Sequence, residues 1–335
     1  MRKSGALRSS GGGFRTASRD LKQKEGNMEL KKIALMGLGA VGSYIYWGLS
    51  RKEGIDLSVI ADGERKERLE KEGIVINGVR YDPAVKTPAQ ARGADLLIVT
   101  VKYTALRDSL SDIKEIADSH TIIMSLMNGV DSEEIIAEAV DPGQIVYSLI
   151  KIASQRVGNS IQFDPESTIG IFYGETDPDA DHLRMEALNR LFDGSAVEHQ
   201  ESSDIIREIW SKFLLNIGNN LPQAIIGCGV GAYDDSEHLL FIKKKLRAEV
   251  KAIAAAKGID LTNLDQRSTK GAKVFPDARY STLQDIDAKR HTEIDMFAGA
   301  VVKMGNELGI ATPYNEAVYH LIKALEEKND GRFDY

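Results

Sequence analysis

A short apolar run that breaks into three spaced glycines is the feature that most restricts how this chain can fold. Residues 33–36 (Ile-Ala-Leu-Met) have the composition of a buried strand, and Gly37, Gly39 and Gly42 follow with the spacing G-x-G-x-x-G. Apolar side chains then recur at helical spacing over residues 40–51. A strand, a glycine turn and a helix in this order are typical of the start of a βαβ unit.

Each glycine of that turn has its own physical role. Gly37 allows a sharp turn after the strand, Gly39 lets a pyrophosphate approach the backbone, and Gly42 lets the helix pack closely on the strand. The N–H groups of the first helical turn then face the anion. The turn therefore predicts a dinucleotide site formed by Gly37, Leu38, Gly39, Ala40, Val41 and Gly42.

An acidic residue supports this interpretation. Asp62 stands twenty residues after Gly42, at the end of a second apolar run, where such sites bind a ribose hydroxyl. A glycine turn in another kind of α/β protein is the alternative, but the flanking strand, the helix and an acidic residue at this spacing rarely coincide there.

The composition restricts the class of protein. A chain of 335 residues, 42% of them apolar, is long enough for about two domains with ordinary cores. Its net charge of −7 argues against nucleic-acid or anionic-membrane surfaces, which select clustered lysine and arginine. The one cysteine favours a reducing, cytoplasmic compartment, and six scattered histidines argue against a metal site. No apolar run reaches the length of a membrane span.

Strand-like and helical patterns alternate up to about residue 200. Several runs are nearly continuous in apolar residues, which suits parallel strands covered on both faces. They lie at residues 57–61, 95–101, 121–126 and 145–153. Helices are expected at residues 64–71, 106–117, 132–140 and 182–192, and a hairpin is expected around Asn77-Gly78. We therefore predict an α/β fold with a Rossmann-type doubly wound sheet over residues 28–200, ending in an edge built from residues 155–200.

Residues 1–27 differ in composition from this region. They are rich in glycine and serine, basic, and lack the apolar segment of a secretory signal. We expect a disordered extension there.

From Ser202 onward the pattern contains only helices. N-caps are predicted at Ser202–Asp204, Ser236 and Thr312, and a capping box at Ser281-Thr-Leu-Gln284 opens a helix expected to continue to Leu308. We predict an all-α domain over residues 201–330, with a substrate in the cleft between the domains. Its exposed apolar helix faces would suit a homodimer.

Two polar residues directly follow strands of the predicted sheet. Lys102 comes after the run at 95–101, and Asn128-Gly129 after the run at 121–126. Ligands of open α/β sheets bind beyond the carboxyl ends of the strands. Loop lysines and Asn-Gly turns are also common without function, so position alone leaves both interpretations open.

The helical region carries a polar stripe. Lys212, Asn216 and Asn220 are four residues apart and lie between apolar neighbours. Asparagine is a poor interior helix residue, so two on one stripe indicate a function. A ligand-facing role fits the mixed surroundings, and a solvated face is the alternative.

Glu293 is the second notable polar group. It falls with Ile286 and Phe297 on the core side of the expected long helix, where a carboxylate must be paired or functional. A buried ion pair with Arg290 is the alternative to a functional role. Ser281 is explained by capping, although the same helix start could receive a carboxylate.

Together these segments resemble the ketopantoate reductase (2-dehydropantoate 2-reductase) family, in family order across about residues 30–325. The matching pieces are Gly37–Gly42, Val101-Lys102, Leu126-Met-Asn128-Gly129, Trp210-Ser-Lys212 with Asn216 and Asn220, and Ser281 through Asp295. The set is far more specific than the glycines alone.

The resemblance implies hydride transfer from NADPH to the C2 carbonyl of ketopantoate, in pantothenate and coenzyme A synthesis. By this resemblance Lys212 is the general acid, and a lysine suits that role because its cation stabilises negative charge on the forming alkoxide. Glu293 would hold the substrate hydroxyl and help to orient the Lys212 site. The other implied contacts are Asn216, Asn220 and Ser281 to substrate, and Lys102 and Asn128 to cofactor.

Asp62 departs from the family pattern, which has an arginine there for the NADP 2′-phosphate. A carboxylate repels that phosphate and accepts a hydrogen bond from a free ribose hydroxyl. Arg65, with Lys66 and Arg68 close behind, could restore phosphate binding. The resemblance therefore implies NADPH, whereas Asp62 favours NADH.

Two alternatives to a ketopantoate reductase stay open. One is a reductase of another branched 2-oxo acid on the same scaffold. The other is a dinucleotide-sensing protein without catalysis, against which Lys212 and Glu293 argue.

Overall fold

A computed structural model describes residues 28–157, 160–177, 179–180, 182–262, 275–333 and 335. The expected disorder of residues 1–27 lies outside this range. The strands are β1 (Lys32–Met36), β2 (Asp56–Ile60), β3 (Ile74–Ile76), β4 (Val79–Tyr81), β5 (Val85–Lys86), β6 (Leu96–Val99), β7 (Ile122–Ser125), β8 (Ile145–Lys151), β9 (Ser154–Val157), β10 (Ser160–Phe163), β11 (Gly170–Gly174) and β12 (His199–Glu201).

The main sheet has eight strands in the order β12-β11-β8-β7-β6-β1-β2-β5. Its strand pairs are parallel except β8–β11, which is antiparallel. All residues of β6 and β7 are buried, as expected for central strands covered on both faces. The predicted doubly wound sheet is thus confirmed. Of the edge predicted over residues 155–200, only β11 and β12 belong to this sheet, whereas β9 and β10 pair in a second one.

The described helices flank this sheet and then form the second half of the chain. They are α1 (Ala40–Leu49), α2 (Gly63–Glu72), α3 (Tyr103–Leu106), α4 (Leu110–Ile116), α5 (Ser132–Ile136), α6 (Leu183–Phe192), α7 (Ile205–Leu215), α8 (Leu221–Ile226), α9 (Ala232–Asp235), α10 (Glu237–Ala256), α11 (Ser281–Asp287), α12 (Ala300–Leu308) and α13 (Pro313–Asn329). The helix predicted over 106–117 is shorter, because α4 covers only Leu110–Ile116. The helix predicted over 132–140 is shorter, since α5 ends at Ile136.

A second sheet of four strands has the order β4-β3-β10-β9. The predicted hairpin is confirmed, since β3 and β4 pair antiparallel around Asn77 (φ 49°) and Gly78 (φ 78°). These positive φ values are those that the favoured Asn-Gly turn requires. The same residues also hold β10, because Asn77 Oδ1 accepts a hydrogen bond from Phe163 N at 3.0 Å. Sequence analysis identified neither β9 nor β10 as a strand.

The helical region begins where predicted. Asp204 caps α7 and Ser236 caps α10, each accepting a backbone hydrogen bond with its side chain. The proposed boundary between residues 200 and 201 falls inside β12. Between α7 and α8, residues Asn216–Asn220 form a π-helix, so the chain remains helical through Pro222 to Ile226.

The expected long helix from Ser281 to Leu308 is wrong. α11 ends at Asp287, and a second π-helix, Asp295–Gly299, precedes α12. Lys289 has φ 52°, and Arg290 N donates to Asp285 O at 2.8 Å, which closes the end of α11. The capping box is also absent, because the N-cap is Tyr280 and Ser281 is the first helical residue.

Alternate residues of the central strands separate into two cores. Ile33 and Leu35 face one side of the sheet, and Ala34 and Met36 face the other. A third core joins the helices to the sheet region through Val130, Leu149 and Phe172.

Two further properties concern the described residues as a set. None of their helices combines the length and the hydropathy needed to cross a membrane. They also contain no group of three or more metal-ligating side chains placed to hold an ion. A cytoplasmic location and a homodimer stay predictions.

Candidate active site

The glycine turn is held by a residue that sequence analysis did not identify. Thr100, directly after β6, donates its hydroxyl to Met36 O at 3.1 Å and to Gly37 O at 2.8 Å. Gly37 has φ 100°, and a Cβ there would lie 2.7 Å from the Thr100 backbone. A Cβ on Gly42 would lie 2.2 Å from Gly37 O and 2.6 Å from Thr100 Oγ1. Both glycines are therefore required by packing within the protein.

Gly39 is different, because a Cβ built on it would have nothing within 4 Å. It is the N-cap of α1 in an extended conformation that any residue can adopt. The space beside it is open, and the N–H groups of the first helical turn, Ala40 to Gly42, have no partners within α1. An open space beside unpaired N–H donors fits the pyrophosphate of a dinucleotide.

Asp62 lies just beyond the carboxyl end of β2, at the N-cap of α2. Its side chain is exposed and makes no capping hydrogen bond, so the carboxylate is free to accept one from a ligand. Burial, and then the charge of Asp62, raise the pKa of the Asp112 carboxyl, so two acidic groups lie near this point. Arg65 is exposed on α2, while Lys66 is engaged by Glu70 and by Val85 O.

The three central residues of the site come from three distant segments. Lys212 on α7 donates from Nζ to Asn128 Oδ1 at 2.8 Å, and Asn128 Nδ2 donates to Glu293 Oε2 at 3.4 Å. Asn128 follows β7, and Glu293 lies in the segment between α11 and the second π-helix. Asn128, predicted as a cofactor contact, thus joins the two residues predicted to carry the chemistry.

The electrostatics of Lys212 suit a proton donor. Burial lowers its pKa from 10.5 to about 8, with Glu293 opposing that change and Lys151 adding to it. A lysine with a pKa near neutrality is charged at pH 7 and still releases its proton readily. Both the position of Lys212 and its lowered pKa are therefore those expected of a general acid.

Glu293 does not form the ion pair with Arg290 that was the alternative to a functional role. Arg290 instead donates to Asp285 Oδ1 at 2.8 Å. Burial raises the pKa of the Glu293 carboxyl, opposed by the hydrogen bond from Asn128 and the charge of Lys102. Lys102 is exposed at the N-cap of α3, so its charge reaches Glu293 from the sheet side of the cleft.

The predicted substrate residues differ in how the structure places them. Asn216 and Asn220 are 8% and 4% exposed, which rules out a solvated stripe. Asn220 Oδ1 is buried and has no hydrogen-bond partner among the described residues, as expected of a group that awaits a ligand. Ser281 is exposed on α11, which packs against the Asn216–Asn220 segment, and no hydrogen bond joins it to the Lys212 cluster in the described residues.

A small recess with room for about one water molecule is lined by Lys212 and by other residues of α7, β8 and the segment after β7. Its polar walls include a carboxylate, Glu133, that sequence analysis passed over. The only available signal was that Ser132 and Glu133 begin three residues after Gly129. The polar lining residues are Asn128, Ser132, Glu133, Ser148, Lys212 and Asn216.

An open glycine turn suited to a dinucleotide, together with a lysine whose pKa is lowered by burial, is typical of an oxidoreductase whose reaction needs a proton donor. Two models of one family match the chain. "Ketopantoate reductase PanE/ApbA" matches residues 33–171, and "Ketopantoate reductase PanE/ApbA C terminal" matches residues 204–326. The chain belongs to the ketopantoate reductase family.

Individual relatives agree with this assignment. A 2-dehydropantoate 2-reductase of Pyrococcus horikoshii is 27% identical over 312 residues, covering 90% of this chain and 99% of the relative. Among solved structures, a ketopantoate reductase of Ralstonia eutropha has a TM-score of 0.74 at 23% identity, covering 89% of this chain and 99% of that one. D-mandelate dehydrogenase with NADH has a TM-score of 0.78 at 23% identity, covering 88% and 99%. The structural likenesses establish the fold.

Proposed function

We propose that this protein reduces 2-dehydropantoate (ketopantoate) to pantoate with a reduced nicotinamide dinucleotide, as a step of pantothenate and coenzyme A synthesis. The hydrogen-bonded series Lys212–Asn128–Glu293 carries this proposal, because it sets a proton donor and a carboxylate side by side in the cleft. A reductase of another branched 2-oxo acid is the second candidate, since these polar groups recognise the oxo acid more than its branches.

Each residue of the cleft has a part in the proposed reaction. When bound, the reduced nicotinamide supplies the hydride for the C2 carbonyl carbon. Lys212 stabilises the charge that grows on the carbonyl oxygen and then donates its proton to that oxygen. Asn128 holds Lys212 Nζ in position, and Glu293 accepts a hydrogen bond from the substrate hydroxyl. The carboxylate and carbonyl ends of the substrate are bound by Asn216, Asn220 and Ser281.

The first experiment compares ketopantoate with 3,3-dimethyl-2-oxobutanoate, which differs only in lacking the hydroxyl that Glu293 would bind. A lost hydrogen bond to a charged group costs about 1.5–3 kcal/mol, so kcat/KM should be at least about tenfold lower for the analogue. Equal values would favour the second candidate. Tight dinucleotide binding without turnover of any 2-oxo acid would instead indicate a sensing protein.

The pH dependence of kcat/KM should follow the ionisation of Lys212. The pKa of this amine in the protein is about 8, and only its protonated form can donate. The value of kcat/KM should therefore fall as pH rises through this region, by about tenfold per pH unit well above the pKa. Rates of hydride transfer measured from pH 6 to pH 10 test this, and a flat profile would contradict it.

For the cofactor we propose a preference for NADH over NADPH. The free Asp62 carboxylate can accept a hydrogen bond from a ribose hydroxyl, the Asp112 carboxyl lies near it, and Lys66 is already engaged. A 2′-phosphate would meet these two carboxylates, and the exposed Arg65 near Asp62 offsets part of their charge. The Asp62→Asn variant should raise kcat/KM for NADPH relative to NADH by about tenfold, since one charge at hydrogen-bonding distance is worth about 1–2 kcal/mol.

Glu64→Gln is the matched control for that variant. Glu64 is exposed on the same helix, two residues after Asp62. The control should leave the NADH to NADPH ratio unchanged. A wild-type ratio that already favours NADPH would contradict the proposed preference.

A further inference from the structure

A buried carboxylate on α13 holds the segment that carries Glu293. Glu326 is 3% exposed, and its Oε1 accepts two hydrogen bonds from Thr292, one from the backbone N–H and one from the hydroxyl, each at 2.7 Å. Thr292 directly precedes Glu293 and is also buried. Hydrogen bonds to a charged acceptor are strong, and more so away from water, so Glu326 fixes the position of Thr292.

The backbone on both sides of Glu293 depends on this carboxylate. Residues 288–294 lie in neither a helix nor a strand, and the N–H groups beside Glu293 bond to side chains. The Thr292 N–H donates to Glu326, and the Ile294 N–H donates to Thr292 Oγ1 at 3.2 Å. One carboxylate thus orders, directly or through one hydroxyl, the two peptide groups that flank Glu293.

The same helix also holds the residues that follow Glu293. Lys323 Nζ lies 3.5 Å from Glu326 Oε2 and donates to Asp295 Oδ2 at 2.8 Å. The hydroxyl of Tyr319 donates to Asp295 Oδ1 at 2.8 Å. α13 therefore binds the chain before and after Glu293, and the Lys323 ammonium offsets the charge of both carboxylates.

Glu293 needs a fixed position because its carboxylate meets groups of the sheet domain. It accepts hydrogen bonds from Asn128 Nδ2 at 3.4 Å and from the N–H of Tyr103. Functional groups act fully only when they are held within about 0.5 Å of the productive position. The irregular segment that carries Glu293 obtains this precision from α13.

We propose that Glu326, acting through Thr292, is the positioning residue that sets Glu293 against the substrate hydroxyl. Glu326 contacts neither substrate nor cofactor in this role. Without it Glu293 loses its fixed position, and the enzyme loses its advantage for a substrate that carries the hydroxyl. This inference rests on the proposed function.

Glu326→Ala tests the proposal through substrate discrimination. The measured quantity is kcat/KM for ketopantoate divided by kcat/KM for 3,3-dimethyl-2-oxobutanoate, which lacks the hydroxyl. The ratio should be at least about fivefold lower in the variant, since most of the tenfold or larger contribution expected of Glu293 is lost. Any effect on Lys212 through Asn128 is common to both substrates and cancels in the ratio. Equal losses for the two substrates would show a merely structural role and overturn the proposal.

Two substitutions of Thr292 separate its hydroxyl from its volume, and they also serve if Glu326→Ala does not fold. Thr292→Val keeps the shape but removes the group that donates to Glu326 and accepts from Ile294, so the ratio should fall by about threefold or more. Thr292→Ser keeps the hydroxyl, and its ratio should stay within about twofold of the wild-type value. Equal ratios in the valine and serine variants would overturn the proposal.

Glu327→Ala is the matched control for Glu326→Ala. Glu327 is the next residue of α13, but its side chain lies at the surface and pairs with Arg332. The control should have the wild-type ratio. A ratio that falls as far as in Glu326→Ala would show that any acidic residue of α13 has this effect, which contradicts the proposed role.

Crystal structures of the ligand-free variants provide a readout that needs no activity. In Glu326→Ala and in Thr292→Val, the Glu293 carboxylate should lie at least about 1 Å from its wild-type position relative to Asn128. A carboxylate that keeps its place in Glu326→Ala would overturn the proposal. If the wild-type enzyme reduces both substrates equally well, the proposed function fails, and this displacement still decides whether Glu326 positions Glu293.

Discussion

Alanine in place of Lys212 should lower the turnover number by at least about a hundredfold, the usual contribution of a positioned general acid. The variant loses both the proton and the cation that faces the developing alkoxide. Lys212→Arg separates the two effects, because arginine keeps the charge but does not release its proton near neutral pH. The arginine variant should also be slow, and its rate should not fall above pH 8 as the wild-type rate does.

Stability measurements distinguish this loss from misfolding. The amine of Lys212 has a pKa lowered by burial, so its charged form costs the folded state free energy at neutral pH. A methionine of similar length removes that cost, and the unfolding temperature of Lys212→Met should equal or exceed that of the wild type. Lys114→Ala, on the exposed face of α4, is the control for loss of a lysine. A Lys212→Ala enzyme with the wild-type rate would remove Lys212 from its proposed role.

Gly39→Ala should weaken dinucleotide binding without lowering stability, whereas Gly42→Ala should lower the stability of the ligand-free protein. A Cβ added at Gly39 would enter open space, so the ligand-free Gly39→Ala protein should unfold at the wild-type temperature. Where a dinucleotide approaches the backbone, the same Cβ would collide with it, and the dissociation constant should rise by at least about tenfold. Gly42→Ala instead places a Cβ 2.2 Å from Gly37 O, which the turn cannot accommodate without moving.

Two measurements on each variant test this contrast. Gly42→Ala should lower the unfolding temperature of the ligand-free protein, by an amount that corresponds to about 1–3 kcal/mol of overpacking. Titration with NADH or NADPH gives the dissociation constants. Gly39→Ala with wild-type affinity would show that the dinucleotide does not pass over this residue.

The sequence was most informative where local chemistry decides structure. The glycine turn at Gly37 and the hairpin at Asn77-Gly78 were predictable because their conformations demand particular residues. The break after α11 was not, because its left-handed residue is Lys289, where glycine is the usual signal. Periodicity likewise continued across both π-helices without indicating them.

Some residues of the site could likewise be predicted from the sequence and others could not. Lys212 and Glu293 stood out because each is polar among apolar neighbours, but their connection through Asn128 depends on contacts across 84 and 165 residues. Thr100 and Glu133 gave almost no signal, since a threonine after a strand and a glutamate at the start of a helix are ordinary. Only the three-dimensional structure shows the contacts that they make.

The two π-helices make the site sensitive to chain length as well as to residue identity. A π-helical turn contains one residue more than the α-helical turn it replaces. In Asn216–Asn220 and in Asp295–Gly299, that extra residue sets the direction in which every later side chain of the helix points. Deleting one residue from either segment would rotate its continuation by about 100° while leaving composition almost unchanged. Comparisons that score substitutions alone would not detect such a deletion. A one-residue gap between Lys212 and Pro222 in an aligned relative would indicate that the later side chains of this helix point in other directions.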